Sequence, residues 1–214
     1  GKDSMVLLDL LNTPMLFVPS FSLAPVHIDM GFDPTYQCHD ALKRHFETGG
    51  YDHAIEKSDI GPLSHSDYNR KNPCFLCSRL RRKRIFEIAA EKGCNKIALA
   101  HHRDDMIETL LINLFYGREI STMMPVQSIF GGKMHIIRPL SYLREGLIGK
   151  YAAERGLAIF RNPCPSSDDS KRLYVKNLLR EMEKDNRKVR DNILRAMTHV
   201  KVDYLPKKYV KTAR

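Results

Sequence analysis

Residues 5–11 repeat apolar side chains at three- and four-residue spacing directly after the polar tetrad Gly1-Lys2-Asp3-Ser4, which predicts a helix that starts at a glycine-bearing turn. A short β-branched run at 25–31 is stopped by glycine, and helical spacing returns at 36–46 before ending at Gly49-Gly50. Ala54-Ile55 predicts a second short strand, while 58–72, with its Gly-Pro, Ser, His and Asn residues, predicts a loop. Residues 74–92 have the pattern of a basic amphipathic helix closed by Gly93. Residues 96–100 form a buried-type strand and 104–116 a further helix closed by Gly117. The stretch 118–139 is punctuated by Met, Gly and Pro and reads as an irregular excursion with one extended segment at 134–137. A helix at 142–155, a strand-like run at 157–160, a loop at 162–170 and two basic helices at 173–184 and 189–199 precede a Lys/Tyr tail.

Strands and helices alternating at these lengths imply βαβ units, and so an α/β fold with a parallel sheet flanked by helices. Ligands of such sheets sit at the carboxyl ends of the strands. The expected division is an α/β domain over 1–165 and a basic helical extension over 166–214.

Charge sharpens that division. Of the formal net charge of +10, residues 171–214 carry 14 Lys/Arg against 5 Asp/Glu, whereas residues 1–170 carry 21 against 20. A terminal excess of this kind suits a polyanion-binding element, and equally a solvated basic face. No apolar run approaches the roughly 18–20 residues of a membrane-spanning helix and no secretory leader pattern is present, so a soluble cytoplasmic protein with no membrane partner is expected. Five cysteines is an odd number in a chain of 214 residues that needs no disulfide staples, which favours thiolate or metal chemistry.

Three groups of residues carry chemistry. In the opening tetrad, Gly1 lets backbone N–H groups approach phosphate, Lys2 supplies fixed positive charge and Ser4 places a hydroxyl at a helix N-terminus that favours anions. Asp3 reads as a magnesium partner or a cap. The second group, Ala100-His101-His102-Arg103-Asp104-Asp105 followed by Glu108-Thr109, lies where a strand gives way to a helix, at the ligand edge of the sheet. There Asp104 could hold magnesium on phosphates and His101 could contact phosphate or developing charge, while Asp104 and Asp105 also suit helix capping. The third is Pro73-Cys74-Phe75-Leu76-Cys77, two thiols about one helical turn apart, with Arg79, Arg81, Arg82, Lys83 and Arg84 close behind. Positive charge beside thiols lowers their pKa and attracts phosphate. Zinc is the weaker occupant, because it asks for four ligands and no second Cys pair exists. Cys164, held between Pro163 and Pro165, is the further thiol candidate; Cys38 and Cys94 read as ordinary packed thiols.

Gly1-Lys2-Asp3-Ser4 resembles the second half of the PP-loop, Ser-Gly-Gly-Lys-Asp-Ser, of the ATP pyrophosphatases. His-x-x-Asp-Asp-x-x-Glu-Thr resembles the same class, and the doubled His101-His102 with Arg103 looks like its tRNA 2-thiocytidine synthetase branch. The order of PP-loop, Cys-x-x-Cys with its Arg run, His-His-Arg-Asp-Asp, Ile137-Arg138-Pro139-Leu140 and a late Cys matches that branch from residue 1 to about 205. The resemblance implies an adenine nucleotide alpha-hydrolase-like, Rossmann-like fold. It implies that Gly1, Lys2, Asp3, Ser4, Asp29, His101 and Asp104 bind ATP and Mg2+, and that Cys74, Cys77 and Cys164 hold a [4Fe-4S] cluster with one open iron. Catalytic roles fall to Lys2, Asp104 and Arg81, with Arg81 bridging cluster and phosphate or else contacting the RNA backbone. The implied activity is ATP-dependent thiolation of cytidine 32 in the tRNA anticodon loop, with a cysteine desulfurase or another sulfur donor as partner, in a homodimer. The first Ser-Gly of the motif and its preceding strand are absent, so the chain is expected to be clipped and to bind ATP poorly as written. Competing readings are another PP-loop enzyme, such as a thiouridine synthetase or a small-molecule amide ligase, and a non-enzymatic zinc-containing RNA-binding module.

Overall fold

The computed structural model describes residues 1–13, 21–33, 38–69, 72–160, 163–166 and 170–205. α1 (Lys2–Asn12) starts directly after Gly1 and buries Met5, Val6 and Leu7. These side chains reach two different cores. Val6 and Leu7 pack with Leu140, Ile148 and Ala152, whereas Met5 packs with Cys38, Leu42 and Phe46. The helix behind the Gly-Lys-Asp-Ser turn is therefore wedged between α2 (Cys38–Thr48) and α6 (Glu145–Glu154). Each fully buried aliphatic side chain contributes about 1.5–3 kcal/mol, so the turn rests on a firm base.

β1 (Val26–Asp29) pairs in parallel with β2 (Ala54–Lys57). β3 (Lys96–Ala98) pairs in parallel with β5 (Met134–Ile137), and β5 pairs antiparallel with β4 (Val126–Ile129). The long helix α4 (Pro73–Glu91), with proline in its first turn, joins the two sheets. Its Ile88 packs on Ile28 and Met30 of one, and the adjacent Ala89 on Ile97 and Met134 of the other. α5 (Arg103–Ile112) shares a third core, Ile107 with Val175, Leu179 and Val189, with α7 (Lys171–Asp185) and α8 (Val189–Ala196). The basic helices are thus docked on the α/β unit through apolar side chains.

Helices, parallel pairs and the extended segment at 134–137 fall where the pattern predicts them; five features differ. Within the expected loop 58–72 stand α3 (Ile60–Ser64) and a 3-10 turn, Asp67–Asn69. Gly61 makes α3 possible: its N–H donates to Met30 O at 2.7 Å, and a Cβ there would meet that oxygen at 2.5 Å and the Phe32 ring. The excursion 118–139 contains β4, an edge strand whose side chains are mostly exposed and which exists through its ladder to β5. Residues 157–160 enter no ladder among the described residues, and β3 buries Ile97 alone of its three residues. The last turn of the helix over 104–116 widens to a π-turn at Asn113–Gly117 and ends at left-handed Arg118. Residues 36 and 37 of the expected second helix, part of the loop at 162–170 and the Lys/Tyr tail lie outside the described residues. No described helix is long and apolar enough to cross a membrane.

Candidate functional site

Lys2 Nζ lies 3.3 Å from Glu145 Oε1 and 3.6 Å from Asp3 Oδ1. Glu145 Oε2 accepts from Lys176 Nζ at 2.7 Å, so one carboxylate at the start of α6 bridges the lysine of the turn and a lysine of the basic helices. Partial burial opposes the Glu145 charge, but Lys176 and Lys2 hold its pKa at about 2. The Glu145 N–H donates to Asp104 Oδ2 at 2.8 Å, and Arg190 donates to Asp104 Oδ1 at 3.1 Å. Asp104 is 6% exposed and both its oxygens are engaged, which makes it a clamp between α5, α6 and α8. Asp3 Oδ1, in contrast, is buried without a hydrogen-bond partner. Gly1 and Ser4 are exposed at the head of α1.

The other acids of the second motif are tied to α7. Arg172 donates to Asp105 Oδ1 at 2.8 Å and to Glu108 Oε2 at 3.0 Å. Burial raises the Glu108 pKa, against the opposing charge of Arg172. Asp105 also caps α5, its Oδ2 accepting from the His102 N–H at 3.0 Å, so the capping expectation holds for Asp105. His101 is different. Burial pushes its pKa down to about 4, and Arg138 Nε donates to its Nδ1 at 3.2 Å, so the neutral ring carries its proton on Nε2 as a donor. Buried Arg138 is held in turn by the Met124 carbonyl.

Cys74 and Cys77 stand in the first turns of α4, and Cys164 comes from the segment 163–166. Burial raises the Cys77 pKa; the thiols of Cys164 and Cys74 push it further up, and Arg81 draws it down. Cys77 is thus within electrostatic reach of both other thiols. Arg81 also acts electrostatically on His27 of β1. Burial, before any charge, lowers His27 to about 4. Asp29 is occupied locally: its Oδ1 accepts from Gly31 N–H at 3.0 Å, and its Oδ2 lies 3.1 Å from His39 Nε2.

α3 secures the Cys164 segment. His65, just past its end, donates from Nδ1 to Gly61 O at 3.0 Å, leaving Nε2 to accept from the Ser166 hydroxyl at 2.8 Å. Ser64, the last residue of α3, is fully buried, with its hydroxyl beside the Cys77 thiol. Three soft sulfur donors, with a buried hydroxyl beside one of them and a guanidinium close by, fit an iron–sulfur cluster. Sequence reasoning missed Glu145, Lys176, Arg172, Ser64 and His65. No short-range spacing marks any of them, since Lys2 and Glu145 are 143 residues apart and His65 and Ser166 are 101.

The sequence profile of the PP-loop domain matches residues 1–185. The tRNA-cytidine(32) 2-sulfurtransferase of Marinobacter nauticus is 36% identical over 96% of this chain and 68% of its own length. The chain belongs to the PP-loop family, with the tRNA-cytidine(32) 2-sulfurtransferases as relatives. The enzyme of that name from Methylobacillus flagellatus is 37% identical over 96% of this PP-loop chain and 68% of its own, and that from Verminephrobacter eiseniae 36% over 96% and 65%. The chain therefore spans about two thirds of the length of these relatives. The structure of the U34-tRNA thiolase NcsA from Methanococcus maripaludis with its [4Fe-4S] cluster shares the fold of this PP-loop chain, with a TM-score of 0.74 at 24% identity, covering 96% of this chain and 70% of that one.

Proposed function

We propose that this PP-loop protein converts a tRNA anticodon-loop cytidine, cytidine 32, to 2-thiocytidine at the expense of ATP. The observation that supports it most is Cys77, which lies within electrostatic reach of Cys164, Cys74 and the Arg81 guanidinium at once. In the first step the C2 carbonyl oxygen of the base attacks the α-phosphate of ATP, pyrophosphate leaves and an adenylated base forms. In the second, sulfur at the sulfide level attacks C2 and AMP departs with the former carbonyl oxygen, a thiol reductant supplying two electrons where the sulfur arrives as a persulfide. Adenylation turns a poor leaving group into a good one.

Lys2 neutralises phosphate charge, exchanging its Glu145 partner for the nucleotide. Asp3, whose Oδ1 makes no hydrogen bond and has only the Lys2 ammonium at 3.6 Å, would hold Mg2+, and Asp104 acts as a positioning residue that fixes Glu145 and Arg190 around the turn. The Nε2–H of neutral His101 offers a hydrogen bond to a developing oxyanion. Cys74, Cys77 and Cys164 would hold the [4Fe-4S] cluster, which when bound supplies an open iron to carry sulfur. Asp29 shapes the end of β1 through Gly31 and takes part in ATP binding from there.

The extension 166–214 is the tRNA-binding element in this reading, with exposed Arg180, Arg187, Lys188 and Arg195 offered to phosphates. A single-stranded loop nucleotide suits it, because the base must leave its stack to reach the turn. A sulfur donor such as a cysteine desulfurase, a homodimeric state and a cytoplasmic location complete the proposal. Anaerobic reconstitution of the full-length protein with iron and sulfide, then incubation with ATP and unmodified tRNA, is expected to yield 2-thiocytidine on nucleoside analysis. An intact cluster with no 2-thiocytidine would refute the assignment.

A further inference from the structure

The strand β1 alternates Val26-His27-Ile28-Asp29, so its two faces differ in kind. Val26 and Ile28 face α4 and join the core around Ile88. His27 and Asp29 face the other way, toward Cys38 and His39, the first two residues of α2. Cys38 Sγ lies 3.7 Å from His27 Nε2, and one donor atom each from His27, Cys38 and His39 fall within 4.8 Å of one another. Cys38 is buried and the two imidazoles are partly so. His39 Nε2 is buried without an aligned hydrogen bond, although Asp29 Oδ2 lies 3.1 Å away. Asp29 uses only its other oxygen, which accepts from Gly31.

Tetrahedral zinc with bonds of about 2.0–2.1 Å to nitrogen and 2.3 Å to sulfur separates its donors by roughly 3.4–3.6 Å. The Cys38–His27 pair is already close to that spacing, and small side-chain rotations bring in the third donor. An apolar core explains a buried cysteine, but not two histidines and a carboxylate converging on it. We propose that His27, Cys38 and His39 form a mononuclear zinc site, with Asp29 Oδ2 the nearest group to complete or orient its shell. The mixed nitrogen–sulfur donor set favours zinc over magnesium or calcium, which take oxygen ligands. Bound metal would pin the start of α2 to β1, beside the phosphate turn. Its three ligands are distinct from the thiol trio, and only Asp29 is shared with the ATP-binding residues of the thiolation reading.

The chain has five cysteines, so replacing Cys74, Cys77, Cys94 and Cys164 with Ser leaves Cys38 as its only thiol. Titrating that variant with Co2+ as a zinc probe is expected to give one equivalent per chain, tetrahedral visible absorption and a sulfur-to-cobalt charge-transfer band. Adding Cys38→Ser should abolish the band, and His39→Asn should weaken metal binding at least tenfold, with circular dichroism confirming that each variant is folded. If the fourfold variant does not fold, the same difference is read on the otherwise native chain as the zinc equivalent that disappears with Cys38→Ser. A folded protein without the band, or zinc content indifferent to both Cys38→Ser and His39→Asn, overturns the proposal.

Discussion

Asp104→Asn removes one negative charge from a group that is 6% exposed, with almost no change in shape. The carboxylate serves two donors, the Glu145 N–H at 2.8 Å and Arg190 at 3.1 Å. An amide has a single acceptor oxygen and must turn its NH2 toward one of them. Loss of one hydrogen bond to a charged group is worth about 1.5–3 kcal/mol. Arg190 keeps Glu183 at 2.9 Å, so the roughly 3–5 kcal/mol penalty of an abandoned buried charge is only partly incurred. Together these give a loss of about 2–4 kcal/mol. At roughly 2–4 °C per kcal/mol for a chain of this size, thermal unfolding followed by circular dichroism without nucleotide should show Tm falling by about 5–15 °C. Adding Arg190→Met should recover part of that loss, because the unpaired guanidinium goes with it. A Tm within about 1 °C of the parent would refute the clamp and return Asp104 to the role of a free carboxylate awaiting magnesium.

Gly31→Ala should be among the most damaging single changes, since φ is +73° and the new Cβ would stand 2.2 Å from Ser58 O; a loss of at least about 3 kcal/mol is expected in urea unfolding or as a collapse of soluble yield. His101 has a folded pKa of about 4, below its unfolded value of 6.5. The unfolded state therefore binds more protons between those values, and stability should decline as pH falls through that window. The contribution is on the order of 1–2 kcal/mol after solvent screening, and should be missing from the pH profile of His101→Gln. Arg180→Glu with Arg187→Glu should weaken tRNA binding and make the slope of log K against log salt shallower by about 1 for each phosphate no longer neutralised, without changing Tm by more than about 2 °C.

Local pattern carried most of the fold. α1, β1, α4 and the start of α5 each announce themselves through periodicity, a stop residue or a cap, all set within a few residues. α3 does not, because its Gly-Pro opening reads as a turn and its fit depends on Met30 and Phe32, about thirty residues earlier. β4 escapes for a related reason: an exposed edge strand has no buried face to pattern, and its partner lies across a tight reversal. At the site, residue types in Lys2, His101, Cys74 and Cys77 declare their chemistry. What they touch is set by ion pairs that cross the chain, so Glu145 looked like an ordinary helix residue and Cys38 like an ordinary packed thiol. Cys38 is indeed packed with Met5, Leu42 and Phe46, yet its sulfur also meets His27. The role of Asp104 hangs on Arg190, 86 residues away.

The proposed ligation of one cluster by Cys74, Cys77 and Cys164, of which Cys77 feels both other thiols and Arg81, is tested most directly by iron and acid-labile sulfide analysis after anaerobic reconstitution, with each cysteine changed singly to Ser. The wild type is expected to take up a full [4Fe-4S] complement, Cys38→Ser and Cys94→Ser to retain it, and each of Cys74→Ser, Cys77→Ser and Cys164→Ser to lose it. Full iron retention by folded Cys164→Ser would contradict the account.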